Sequence, residues 1–280
     1  MEQEIDFRGG LGNGIKRLAW STDLHFDAAE KAQFILYKDL LKAYEPEMIL
    51  IGGDISNGAG SIDYLVNLSD EIKKPIYFVF GNHDFYYGSI KAIREEAKKV
   101  CSRHRGLHYL TDSSVISLTK ETALIGHDGW SDGRAGDFLG SDVLLNDYFL
   151  IEELKKLNHE ERLKKLNALG DESAKYLEKQ LRSALKTHSR VILLTHVPPF
   201  EESCLYGGVP ADKDWSPHFV CKAVGETVEK VMKEHPEKSL LVLCGHSHWG
   251  QDINILPNLR VVTGHSELGI PNVQCIVLIN

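Results

Sequence analysis

Four short apolar runs constrain this chain more than any other feature: MILIGG (48–53), IYFVFG (76–81), RVILLT (190–195) and SLLVLC (239–244). Each is nearly continuous in Ile, Leu, Val or Phe, so neither face of the strand can be left in water. Strands buried on both faces belong to parallel sheets covered by helices. The intervening segments agree. KRLAWST (16–22) reads as a strand ahead of these four, and Glu30–Tyr44 places Phe34, Leu36, Tyr37, Leu40 and Leu41 at helical spacing. Ile62–Ile72 and Ile90–Val100 also read as helices. The resulting β-α-β-α-β order requires crossover connections and a parallel sheet.

After residue 100 the alternation breaks. His108–Leu118 and Thr122–Gly126 read as antiparallel strands, and Ser141–Thr187 reads as almost wholly helical, with Asn158 and Glu161 forming a capping box. Two further strands are expected around Arg260–Thr263 and Val273–Ile279. The acidic, Gly-rich start implies a flexible N-terminal arm over 1–14, followed by one α/β domain over 15–280 with two sheets sandwiched between helices. No apolar stretch approaches the roughly 20 residues needed to span a bilayer. The start also lacks the basic-then-apolar layout of a secretion signal. Five scattered cysteines without CxxC spacing fit a reducing, cytoplasmic setting, and the formal net charge of −8 disfavours an obligatory nucleic-acid partner.

The functional signal lies in the residues at the carboxyl end of each parallel strand. The first strand leads into Asp23-Leu24-His25, the second into Asp54 and Asn57, the third into Asn82-His83-Asp84, the fourth into His196, and the fifth into His246-Ser247-His248. Ligands of open α/β sheets bind outside the carboxyl ends of the strands. A lone Asp or His after a strand is ordinarily a turn former or a satisfied polar group. Five such placements on one edge point instead to a metal site. Carboxylate, carboxamide and imidazole donors suit Mn, Fe, Zn or Ni better than Ca²⁺.

DLH, GGD, GNHD, TH and GHSH, in this order from Asp23 to His248, resemble the calcineurin-like metallophosphoesterase family. The resemblance implies a four-layer α/β/β/α sandwich and a dinuclear site that hydrolyses phosphomonoesters or phosphodiesters by attack of a metal-activated hydroxide. It implies that Asp23, His25, Asp54 and His248 bind one ion and that Asp54, Asn82, His196 and His246 bind the other. Under the same pattern His83 is the general acid for the departing alkoxide, or an oxyanion stabiliser, with Asp84 orienting its imidazole. The plainer alternative for His83 is a third ligand or a structural residue. Asn57 is expected to hold the loop after Asp54.

Two positions beyond the motifs invite a role. Trp130 and Arg134, in GHDGWSDGRAGDF (126–138), either line the substrate entrance or belong to an ordinary Gly-rich turn. His104, His108, His159, His188, His218 and His235 sit in helical or surface-like contexts and receive no role, and His265 is expected in a core or turn. The expected substrate is a phosphorylated small molecule. The competing reading is a catalytically silent scaffold on the same fold, which the complete ligand set disfavours. Oligomeric state is left open by the sequence.

Overall fold

The computed structural model describes residues 4–9 and 14–280. In chain order the first half forms β1 (Glu4–Asp6), β2 (Lys16–Ser21), α1 (Lys31–Tyr44), β3 (Met48–Ile51), α2 (Gly60–Ile72), β4 (Ile76–Phe78), α3 (Ile90–Arg103) and β5 (Leu107–Tyr109). Then come β6 (Ile116–Ser117), β7 (Thr122–His127), α4 (Asp147–Leu150), α5 (His159–Leu185) and β8 (Arg190–Thr195). A small hairpin of β9 (Leu205–Tyr206) and β10 (Val209–Pro210) leads to α6 (Ser216–Phe219) and α7 (Lys222–Glu234). The chain closes with β11 (Ser239–Cys244), β12 (Gln251–Leu256), β13 (Leu259–Thr263) and β14 (Cys275–Ile279).

Two six-stranded mixed sheets result, in the orders β1-β14-β2-β3-β4-β5 and β12-β13-β11-β8-β7-β6. Within the first, β2 to β5 run parallel, as the alternation of apolar runs and helices requires. Within the second, β13, β11, β8 and β7 are parallel and both outermost pairings are antiparallel.

The period-2 alternation of strand side chains explains the layering. Leu18 and Trp20 of β2, Leu50 of β3, Ile192 and Leu194 of β8, and Leu241 and Leu243 of β11 meet in one core between the sheets. Their neighbours point outward. Ala19, Ile49 and Ile51 meet helices α1, α2 and α3, whereas Val191, Leu193, Leu240 and Val242 meet α5 and α7. Helix–sheet–sheet–helix is thus dictated by runs that are apolar on both faces. Helix α5 ties the outer layers together: Leu166 and Leu169 join the first helical core, and Leu177 and Leu181 the second. Its capping box forms as expected, with Asn158 accepting from the Glu161 amide and Glu161 reaching back to the Asn158 amide.

Four expectations require correction. The arm is not free at Glu4–Asp6, where β1 pairs with β14 and Ile5 is buried in the inter-sheet core between two outward acids. Residues 1–3 and 10–13 of the expected arm lie outside the described residues. Leu107–Tyr109 does not begin an antiparallel pair. It extends the first sheet in parallel beside β4, and a 3₁₀ turn at Leu110–Asp112 then carries the chain to the second sheet. The segment 141–187 is helical only in α4 and α5, because the cap at Asn158 starts a new helix after a turn in which Lys156 adopts positive φ. Finally, β12 and the β9–β10 hairpin arise where no strand was expected. In β12 the exposed Asp252 and Asn254 interrupt partly covered neighbours and no residue is fully buried, which leaves a weak apolar pattern.

Candidate metal centre

The carboxyl ends of β2, β3 and β4 from one sheet and of β8 and β11 from the other converge at the shared edge of the sandwich. The gathering edge is therefore built from both sheets. Asp23, His25 and His248 meet Asp54 in one cluster, and Asp54 meets His196 and His246 in a second. Within each cluster the ligand-type atoms lie within 4.8 Å of one another, and Asp54 belongs to both.

Local backbone conformation makes this convergence possible. Asp23, His25, Asp54, His246 and His248 all have φ between 42° and 69°. Such a conformation is uncommon for residues with a Cβ and costs on the order of 1–3 kcal/mol each, so it persists only where surrounding structure enforces it. Glycines give the clusters room. A Cβ on Gly81 would stand 2.1 Å from Asp54 Oδ1, and one on Gly245 would stand 2.0 Å from Asp23 Oδ2. That is the physical content of GNHD and GHSH: glycine must precede the donor loop because the carboxylate of another strand occupies the Cβ position.

Hydrogen bonds aim the donors. His196 Nδ1 donates to the Gly52 carbonyl at 2.9 Å, which leaves Nε2 facing Asp54 Oδ2 at 3.4 Å and Asn82 Oδ1 at 3.2 Å. His246 Nε2 donates to the His218 carbonyl at 3.1 Å, freeing Nδ1. His25 and His248 bring their Nε2 atoms to 3.1 Å, and His248 Nε2 lies 3.4 Å from Asp23 Oδ1. Asn82 presents its oxygen inward because its Nδ2 donates outward, to Asp147 Oδ1 at 2.8 Å and to the Tyr86 hydroxyl at 3.3 Å.

The electrostatics call for cations. Burial alone would raise Asp23, yet the His248 hydrogen bond and the charges of His196 and His248 lower it to about 2. Asp54 is likewise held well below its ordinary value, against the cost of burial, chiefly by His196 and His83. In return His196, which burial would lower, is raised to about 10 by Asp54 and Asp23. Two buried carboxylates thus draw positive charge onto His196 and His248, while burial keeps His25 and His246 neutral, and the Asp, Asn and His donors fit metal ions that would supply that charge directly.

Asp84 and Asn57 exchange their expected roles. Asp84 does not touch the His83 ring. Its buried carboxylate accepts the amides of Gly81 (2.7 Å), Asp54 (2.8 Å), Ile55 (3.0 Å) and Ser56 (3.3 Å), and the Ser61 hydroxyl. Burial and the nearby Asp54 push it up to about 7. Asp84 ties the β3 and β4 loops together. The reason is local: His83–Phe85 is a 3₁₀ turn, so consecutive side chains diverge by about 120°, and His83 facing the cavity sends Asp84 inward. Asn57 takes the expected place beside His83, its Oδ1 lying 3.1 Å from His83 Nδ1 while its Nδ2 donates to Asp27 at 2.7 Å.

Trp130 and Arg134 stay away from the centre. Trp130 is buried against Phe85 with ring centroids 5.8 Å apart, and Arg134 pairs with Asp132 at 3.0 Å and Asp171 at 2.7 Å. The polar density of their loop serves structure. Asp128 accepts from Phe80 N, Thr111, Tyr109 and Arg94, and its carbonyl accepts the His196 amide at 3.0 Å, locking the β4 and β8 loops in register. His218 lies in helix α6 and is fully buried, and His188 is buried as well.

A cavity of about 280 Å³ opens over the cluster, lined besides its donors by Tyr86, Leu145, Asn146, Asp147, Tyr206, Phe219 and Trp249. None of these was singled out from sequence. Trp249 stands inside GHSHWG and was the accessible clue, whereas Asp147 and Tyr206 carry no local signal. A larger cleft of about 740 Å³ beside Pro199–Glu202 contains none of the convergent donors, so the chemistry belongs to the smaller one.

Two mixed sheets packed between helices thus carry an Asp/Asn/His cluster at their shared edge. The model of the calcineurin-like phosphoesterase family matches residues 16–250, and the chain belongs to that family. The fold is similar to that of phosphopantetheinyl hydrolase from Mycobacterium tuberculosis, with TM-score 0.63 and 13% identity over 90% of this chain and 89% of that one. It is also similar to a dimetal phosphatase from Danio rerio (TM-score 0.58, 15% identity, 91% and 88% covered). A third similar structure is TT1561 of Thermus thermophilus (TM-score 0.53, 15% identity, 91% of both chains). No curated protein matches the chain by sequence. Family membership makes this a hydrolase of phosphoric esters that depends on metal. Among the described residues no helix is long and apolar enough to cross a membrane.

Proposed function

We propose that the protein hydrolyses a phosphorylated small molecule at a dinuclear centre. Asp23, His25, Asp54 and His248 would hold one ion, and Asp54, Asn82, His196 and His246 the other. The observation that carries this reading is the sharing of Asp54 by both clusters. When bound, the ions supply Lewis acidity and positive charge at the phosphoryl oxygens.

The chain's own residues do the rest. The Asp54 carboxylate accepts the His83 amide at 2.9 Å, which ties the His83 loop to the centre of the cluster. His83 lines the cavity edge-on to His25, with ring centroids 4.7 Å apart. Asp27 fixes the Asn57 carboxamide so that its oxygen meets His83 Nδ1. The Nδ1 proton is held there, and Nε2 is the atom left to pass a proton to the departing oxygen. Elemental analysis of purified protein should give two ions per chain, and the loaded protein should hydrolyse p-nitrophenyl or bis-p-nitrophenyl phosphate. His83→Asn should cost about 10²–10⁴-fold on alkyl esters, whose alkoxides need a proton, and less on nitrophenyl esters. Equal losses on both would remove the proton-donor role, and a stoichiometry of one ion or none would remove the dinuclear reading.

A further inference from the structure

Outside its metal-type donors, the cavity over the cluster has a distinctive wall. Among the described residues that line it there is neither a lysine nor an arginine. The lining includes Leu145, Asn146 and the buried Asp147, which adds no positive charge in either protonation state. The lining also includes Tyr206, Phe219 and Trp249. Tyr206 stacks on Trp215 at 4.1 Å and on Phe219 at 5.4 Å, and Gly208 of the β9–β10 hairpin lies against the Trp249 ring. Yet Tyr206 and Trp249 remain 37% and 40% exposed. Large aromatics left uncovered at the mouth of a polar site are a contact surface for a ligand, not core. At about 280 Å³ the cavity also sits at the small end of ligand sites.

The geometry points to a substrate with a single phosphate joined to an uncharged aromatic or apolar group, and to rejection of polyphosphates; this rests on the phosphoesterase reading of the same site. The bound phosphate has the metal-type cluster for its charge. A second or third phosphate would lie along a wall without lysine or arginine, beside Asp147, where stripping its water is poorly compensated. An aromatic leaving group instead covers Tyr206 and Trp249 and is recognised by stacking.

The test separates binding from turnover. Mn²⁺-loaded protein is titrated with phenylphosphonate, methylphosphonate and tripolyphosphate, none of which requires hydrolysis of a phosphoester to be read. Phenylphosphonate should bind about tenfold or more tighter than methylphosphonate, as expected for stacking plus apolar burial. Tripolyphosphate should gain nothing over methylphosphonate. Trp249→Ala should shrink the phenyl-to-methyl ratio, and Asn146→Lys should raise tripolyphosphate affinity, a gain that misfolding cannot imitate. In turnover, kcat/KM should fall from a nucleoside monophosphate to its triphosphate. Equal binding of phenyl and methyl compounds, or tripolyphosphate as the tightest of the three, overturns the inference even if phosphoesters are hydrolysed. The expected binding preference without hydrolysis of any ester would instead sustain this inference and sink the catalytic one.

Discussion

Asp147 should control the affinity of the Asn82–His196–His246 side of the centre without being a ligand. Its Oδ1 accepts from Asn82 Nδ2 and from the Tyr86 hydroxyl, both at 2.8 Å, and the residue is 2% exposed. A carboxamide can turn over, and only its oxygen can ligate. Asp147→Ala would leave the Asn82 amide nitrogen with only Tyr86, so the orientation with oxygen inward is no longer enforced. Outer partners of this kind typically set 10–100-fold in metal affinity, or about 1.4–2.7 kcal/mol. Asp147→Asn keeps an acceptor oxygen, and two donors facing it choose that oxygen over the new amide nitrogen. It should therefore lose much less. Calorimetric titration of metal-free protein with Mn²⁺ reads both sites, with elemental analysis fixing stoichiometry and circular dichroism confirming the fold. The expected outcome is a weakened second site in the alanine variant, a nearly normal one in the asparagine variant, and an unchanged first site in both. Equal losses in the two variants would mean that Asp147 acts through charge and not orientation. A wild-type titration from Asp147→Ala would refute the coupling altogether.

Contacts at the centre and beyond it lead to four more expected outcomes. Asp84→Asn turns an amide toward backbone donors, so it should lower thermal stability and metal content by removing charge-assisted bonds worth about 1.5–3 kcal/mol each; Asn57→Ala should spare metal content and alter the dependence on leaving group, and the opposite pattern would make Asp84 the partner of His83 after all. Arg134→Ala should slightly lower the melting temperature with unchanged kinetics, since its partners are Asp132 and Asp171 and it does not line the cavity. A changed KM would return that loop to the substrate path. His127 is lowered from 6.5 to about 4, mainly by burial, against the pull of Asp128. The unfolded chain therefore takes up this proton first, and the stabilisation, complete above about pH 6.5, is lost as pH falls toward 4, at most about 3 kcal/mol. Urea unfolding at pH 7 and pH 4.5 should show a smaller pH effect in His127→Gln than in the native protein, and identical differences would exclude His127 as a source of acid instability.

The contrast between Asp84 and Asn57 shows which parts of this protein can be read from its chain. Both sheets were visible because MILIGG, IYFVFG, RVILLT and SLLVLC are apolar on both faces, and that property alone forces helices outside and a second sheet inside. The donors were visible because each directly succeeds such a strand, and strand ends meet at an edge whatever the loops do. Orientation was not visible. Adjacency in sequence suggested Asp84 as the partner of His83, but the 3₁₀ turn separates the two side chains, and the true neighbour comes from the end of β3. The same holds for Asp147, brought to Asn82 from 65 positions away by a segment whose short helix has no strong pattern. Short-range periodicity reports burial, and burial decides layers and edges. The contacts that point one atom of a carboxamide or an imidazole toward the centre are long-range and polar, and they leave no period behind. Trp130 and Arg134 are the converse case: a Gly-rich, charged loop after a strand looked functional, yet Asp128 and Asp132 use its polarity to hold the β4, β8 and α7 segments in place. A polar loop therefore marks a site here only where its donors remain free to face the cavity, as they do at His83 and fail to do at Arg134.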